Sequence, residues 1–165
     1  KNKKILLLLE NIIILINKQY KINFTILGEG HFKNKINSTI KNYNLNSKIK
    51  NLGFVKKPFD MIYQSDVLIL PSLFEGTSRA ILESLFIGTP CILRNTNDNF
   101  NLISNSESSL LFDDDEDLIK KIIFFYENFN NNDKKTKNCL LPNSFRENNC
   151  VNILIKVVNN LLNDK

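Results

Sequence analysis

Two carboxylates, Glu75 and Glu83, stand with seven residues between them in the stretch LILPSLFEGTSRAILESLFIGTPCIL, Leu68 to Leu93. Glu75 tips a polar elbow, Pro71 to Gly76, and Glu83 falls about two turns inside the helical pattern that follows. A helix start offers unpaired N–H groups and about half a positive charge, which suits a phosphate. The chemistry open to such a stretch is therefore the binding of an anionic ligand at a helix start, with a carboxylate beside it.

The elements that would position these acids can be read from apolar spacing. Val67 to Leu70 is a short apolar run suited to a buried strand. Ala80, Ile81, Leu82, Leu85 and Phe86 recur at helical spacing, and Gly88-Thr89-Pro90 stops that helix. Cys91-Ile92-Leu93 reads as the next strand. Strand, loop, helix and strand make a βαβ unit with parallel strands and a right-handed crossover. In an open parallel sheet, ligands bind beyond the carboxyl ends of the strands, the zone in which Glu75 falls.

The 165 residues suit one domain with a three-layer core, and an apolar content of 42% is that of a globular chain. The net charge of +5 is spread along the sequence without interleaved aromatics, so nucleic acid is not an expected partner. The three cysteines, Cys91, Cys139 and Cys150, lack CxxC spacing, which points to a reduced, cytoplasmic chain. Ile5 to Ile16 is very apolar but is too short to span a bilayer and holds Glu10 and Asn11.

In order, residues 3–18 read as a helix that is apolar nearly all round, and Ile22 to Leu27 as a strand turning at Gly28-Glu29-Gly30. A helix is expected from Phe32 to about Tyr43, a strand at Ile49 to Leu52, and a short helix opened by Pro58. Asn95 to Asn101 reads as a polar loop with helix-start residues Asn97 and Asp98. Leu110 to Phe112 follows as a strand. Asp113 to Asp117 then opens a helix to about Phe129, its acids serving mainly as caps, and a last helix is expected from about Ser144 to Leu162. The order predicts an α/β, Rossmann-like, doubly wound parallel sheet with helices on both faces. Such domains usually begin with a strand, so one is expected upstream of Lys1.

The blocks KNKKILLLLENI, FTILGEG and IKNLGFVKKPFDMIYQSDVLILPSLFEGTSRAILESLFIGTPCIL are similar, in order and spacing, to the C-terminal domain of family 4 retaining glycosyltransferases of the GT-B fold. The resemblance covers roughly Lys1 to Leu162. It implies that residues 1–165 form a nucleotide-sugar-binding domain, with a separate N-terminal domain for the acceptor and catalysis in the cleft between them. It further implies retaining transfer of a sugar to an acceptor hydroxyl in surface polysaccharide or glycolipid synthesis. The expected partners are a nucleotide-sugar donor and a glycan or lipid-linked acceptor, with peripheral contact to a membrane surface.

By that resemblance Glu83 accepts from both ribose hydroxyls and Glu75 faces the donor sugar as the catalytic carboxylate. Gly76, Thr77, Ser78, Arg79 and Ala80 meet sugar hydroxyls and the β-phosphate, and Lys1 neutralises the departing diphosphate. Gly53, Phe54 and Val55 border the base. No cofactor or metal is implied; Asp113-Asp114-Asp115 lacks the spaced ligands of a metal motif. The family's arginine a few residues before the lysine is not in this sequence, a glycine before the LLF strand is Ser109, and the small residue after the second glutamate is Ser84.

Three other features invite roles. Gly28-Glu29-Gly30 could open a dinucleotide fingerprint, but Lys33 stands where a third glycine is needed. His31 beside it reads as a solvent-exposed or helix-start residue, and Arg94 at a strand end either faces the cleft or meets a carboxylate. The alternative function is a non-catalytic nucleotide-binding or interaction domain.

Overall fold

The computed structural model describes residues 4–72, 78–103, 106–129 and 137–145. Its order is α1 (Lys4–Asn17), β1 (Phe24–Leu27), α2 (Lys33–Asn42), β2 (Ile49–Gly53), α3 (Phe59–Gln64) and β3 (Leu68–Leu70). Then come α4 (Arg79–Phe86), β4 (Cys91–Arg94), α5 (Asn97–Ile103), β5 (Leu110–Phe112), α6 (Asp115–Phe129) and a 3-10 turn at Asn143–Phe145. No described helix is long and apolar enough to cross a membrane. The last expected helix, past this turn, lies outside the described residues.

All strand pairings are parallel, but the described strands form two sheets, β1-β2 and β3-β4-β5. Phe24 pairs with Ile49 in the first, with a register shift between Ile26 and Leu27. In the second, Leu70 pairs with Leu93 and Arg94 with Phe112. The expected parallel pairing therefore holds within each group of strands, whereas the expected single sheet is divided, no backbone ladder joining the groups among the described residues.

Side-chain burial supplies the link that the ladder does not. Strand residues alternate between faces. On one face Ile92 and Phe112 share a core with Ile26 and Ile49 of the other sheet, beneath α1, α2 and α6. On the opposite face Cys91 and Leu93 pack with Ile81 and Leu85 of α4 and Leu102 and Ile103 of α5. Helices thus cover both faces, as the doubly wound pattern predicts. α1 buries Leu6, Leu8, Leu9, Ile12, Ile13 and Leu15, while Ile14 and Glu10 are exposed, so it is not buried all round.

Three helices end in one way. The N–H of Tyr20, Leu45 and Thr89 bonds back to the carbonyls of Leu15, Ile40 and Ser84, closing α1, α2 and α4. The residue before each donor, Gln19, Asn44 or Gly88, has positive φ, as this closure demands. The sequence predicts α5 only as a helix start within a loop. Thr96 caps it, its hydroxyl accepting from Asn99 N–H at 3.2 Å, in place of the anticipated Asn97 and Asp98.

Candidate functional site

The carboxyl ends of β1 and β2 meet at a tight crossing. Gly28 N–H donates to Gly53 O at 2.7 Å. Gly53 has φ +67, and a Cβ there would stand 3.0 Å from Glu29 Oε1. Lys33 Nζ donates to Glu29 Oε1 at 3.0 Å, one turn along the chain. The Lys33 hydrogen bond and charge, with a further bond from the Phe54 backbone, hold Glu29 below the usual carboxylate range. Glu29 therefore stays ionised against the loop assigned by resemblance to the base. Phe54 is 72% exposed there, and Val55 is half-buried.

The second group of candidate residues is on α4. Ser78 is its N-cap residue, with extended φ and ψ and no side-chain cap. The Ser78 carbonyl accepts from Ile81 and Leu82 at 3.1 and 3.2 Å. The N–H groups of Arg79 and Ala80 begin the helix and have no intrahelical acceptor. No acidic residue occupies the first turn of α4, the place where one would offset the positive end of the helix dipole. Arg79 is exposed, while Ala80 and Glu83 are half-buried. Lys1, Glu75, Gly76 and Thr77 lie outside the described residues.

A polar seam fixes the far end of α4. Ser84 Oγ donates to Thr89 O at 2.9 Å, and Thr89 Oγ1 donates to Ile62 O at 2.9 Å. Lys137 Nζ donates to Tyr63 O, Ser65 O and Thr89 Oγ1, closing α3. Ser109 Oγ accepts from Cys91 N–H at 3.0 Å and meets Ser106 Oγ at 2.7 Å, so this serine takes up a strand N–H. Cys91 is fully buried, and burial pushes its thiol up to about 12, which leaves it neutral and inert.

The structure thus brings Gly53 against Glu29 and Lys33 and the Phe54 backbone against Glu29, and sets Ser78 to Glu83 beside β3 and β4. No described hydrogen bond or ion pair joins the two groups. No set of three potential metal ligands occurs among the described residues. Sequence reasoning misses Glu29, although its spacing of four from Lys33 is a usable sign.

Residues 1–128 match the sequence model of glycosyl transferases group 1. This chain belongs to that family. An Escherichia coli UDP-Gal:alpha-D-GlcNAc-diphosphoundecaprenol alpha-1,3-galactosyltransferase is 37% identical over 83 residues, 50% of this chain and 21% of that protein. A Campylobacter jejuni N-acetylgalactosamine-N,N'-diacetylbacillosaminyl-diphospho-undecaprenol 4-alpha-N-acetylgalactosaminyltransferase is 36% identical over 64 residues, 39% of this chain and 18% of that one. A glycosyltransferase from Rickettsia africae aligns over 100% of this chain and 46% of its own, with TM-score 0.79 and 20% identity. A point mutant of TarM from S. aureus, in complex with Fondaparinux, alpha-GlcNAc-glycerol and UDP, aligns over 78% and 27%, with TM-score 0.68 and 23% identity. The group 1 glycosyltransferase chain thus has the α/β architecture of GT-B enzymes and spans about a fifth of the length of these curated relatives.

Proposed function

We propose that this group 1 glycosyltransferase domain, residues 1–165, is the donor-binding half of a retaining, family 4 type hexosyltransferase. It holds a nucleoside-diphosphate sugar while a separate N-terminal domain presents the acceptor. The observation that carries the reading is the parallel β3-α4-β4 unit, in which α4 opens at Ser78 with no acid in its first turn and Glu83 lies half-buried inside it. A helix start with no acid in its first turn suits the β-phosphate, and a carboxylate's two oxygens suit the ribose diol.

In this reading Glu83 binds ribose, and Gly53, Phe54 and Val55 border the base. Gly76, Thr77, Ser78, Arg79 and Ala80 meet the sugar and β-phosphate, Lys1 neutralises the leaving diphosphate, and Glu75 faces the anomeric carbon. Cationic side chains and the helix end stabilise the leaving group without a metal. The acceptor class is a lipid-linked glycan used at the cytoplasmic face of a membrane. The Escherichia coli and Campylobacter jejuni relatives, whose names specify diphosphoundecaprenol acceptors, support that choice.

Calorimetric titration of UDP and GDP tests donor binding. One of the two should bind with EDTA present, and Glu83→Gln should weaken it about tenfold, the loss of one charged hydrogen bond. In the intact protein Glu75→Gln should abolish transfer while the nucleotide still binds. If neither nucleotide binds, the donor assignment fails; nucleotide binding without transfer by the intact wild-type protein selects a non-catalytic domain.

A further inference from the structure

Arg94 ends β4 on the face shared with Ile92 and Phe112, opposite Phe112 in the ladder. Its guanidinium lies 5.6 Å from the centroid of the Phe112 ring, which is itself buried. The Nη1 atom is shielded from solvent and has no hydrogen-bond partner, although the residue as a whole is only half-buried. A desolvated guanidinium without a counter-charge is costly, and proteins normally pair it.

The absence of a pair is notable because acids are close in sequence to its ladder partner. Each of four carboxylates after Phe112 is engaged elsewhere. Asp113 accepts from Asn95 Nδ2, Asp114 from Asp117 N–H, Asp115 from Lys4, and Asp117 from Asp113 N–H. Glu116 is exposed and none of the described ion pairs includes Arg94. A second orphan stands at the same sheet edge. Ser72 Oγ is buried without a partner, two residues beyond Leu70, whose ladder partner Leu93 precedes Arg94. An unsatisfied guanidinium donor at the carboxyl edge of a parallel strand is matched by a ligand with anionic oxygens.

We propose that Arg94 binds a phosphate oxygen of the nucleoside-diphosphate donor, a contact that rests on the donor-binding reading. The Arg94 guanidinium lies over the Phe112 ring, and Lys4 and Asp115 are paired with each other. The charge stored at Arg94 is then neutralised by the ligand alone. Arg94 also sits on the face covered by α1, the helix that Lys1 precedes. It supplies a second cation to the diphosphate from within this chain.

The test measures binding of UDP, GDP, inorganic pyrophosphate, and the phosphate-free nucleosides uridine and guanosine to the intact protein and to Arg94→Met and Arg94→Lys. Arg94→Met should weaken the diphosphates about 10- to 100-fold, and Arg94→Lys should recover part of that by keeping the charge without the planar fork. Nucleoside binding should not change. The ligand-free Tm of Arg94→Met should stay the same or rise, because an uncompensated charge is removed; a structural arginine would lower it. Equal diphosphate binding by wild type and Arg94→Met overturns the proposal and leaves the donor reading intact. So does a lowered ligand-free Tm with no recovery by lysine. Pyrophosphate binding that depends on Arg94, with neither nucleotide bound by wild type, keeps the anion site and removes the nucleotide reading. If wild type binds none of the three diphosphates, both fall.

Discussion

Lys4 and Asp115 join the first turn of α1 to the first turn of α6, with Lys4 Nζ 2.6 Å from one carboxylate oxygen and 2.8 Å from the other. They are 111 residues apart, and the pair closes the helical layer over the core that spans both sheets. Their side chains retain 23% and 35% of their exposure, so screening limits the gain. Lys4→Met should cost about 0.5–1 kcal/mol in urea unfolding, and the difference from wild type should shrink in about 1 M salt.

Gln19 closes α1 with φ +71, the position where glycine carries no Cβ penalty. Gln19→Gly should therefore stabilise the protein by about 1 kcal/mol, the lower part of the left-handed cost for a side chain. A shift of the urea midpoint to higher concentration with unchanged slope is the expected readout.

Gly88 has the same role in α4 with the opposite margin. A Cβ there would stand 2.5 Å from Asn138 O and 2.6 Å from Lys137 Cβ, at φ +83. Gly88→Ala must push the 137–138 segment away, and Leu140 N–H, which donates to Leu85 O, moves with it. A loss of about 2–4 kcal/mol is expected from combined strain and clash, read as a lowered urea midpoint.

Ser109 supplies an acceptor that glycine or alanine cannot. Removing its Oγ leaves the buried Cys91 N–H unpaired and takes away the Ser106 contact. Ser109→Ala should cost about 1–3 kcal/mol. Amide exchange at Cys91 should rise by more than the change in global stability explains.

Cys91 makes stability depend on alkaline pH. Its folded thiol titrates at about 12 against 9.0 when free, mainly through burial, with a smaller opposing pull from Ser84. The unfolded thiol loses its proton first, so this contribution is complete below pH 9.0 and declines up to about pH 12. The slope reaches about 1.4 kcal/mol per pH unit within that window. Subtracting the profile of Cys91→Val should isolate the slope. Exposed Cys139 should react with a thiol reagent in the native protein, and Cys91 only after unfolding.

Much of this architecture is legible in residue order. Leu110–Phe112 is the strand expected there, and the β3-α4-β4 unit follows from apolar runs around Gly88. The short α5 is less legible because its asparagines favour turns as readily as helix. Leu102 and Ile103 decide the matter by packing against α4 and β4. Pro58 shows a smaller displacement: it precedes α3 as the N-cap residue, one position before the first turn where its fixed φ suggests it.

The alternation of helix and strand, the parallel pairing and the glycosyltransferase family are all readable along the chain, because periodicity and motif spacing are local properties. The acids and glycines of the candidate donor site are marked there too. Which polar groups are spent on one another emerges only on folding. Glu29 goes to Lys33 and Asp115 to Lys4, while Arg94 and Ser72 each keep a buried polar atom unmatched. Pairing of that kind depends on distances across elements, and spacing along the chain does not encode it.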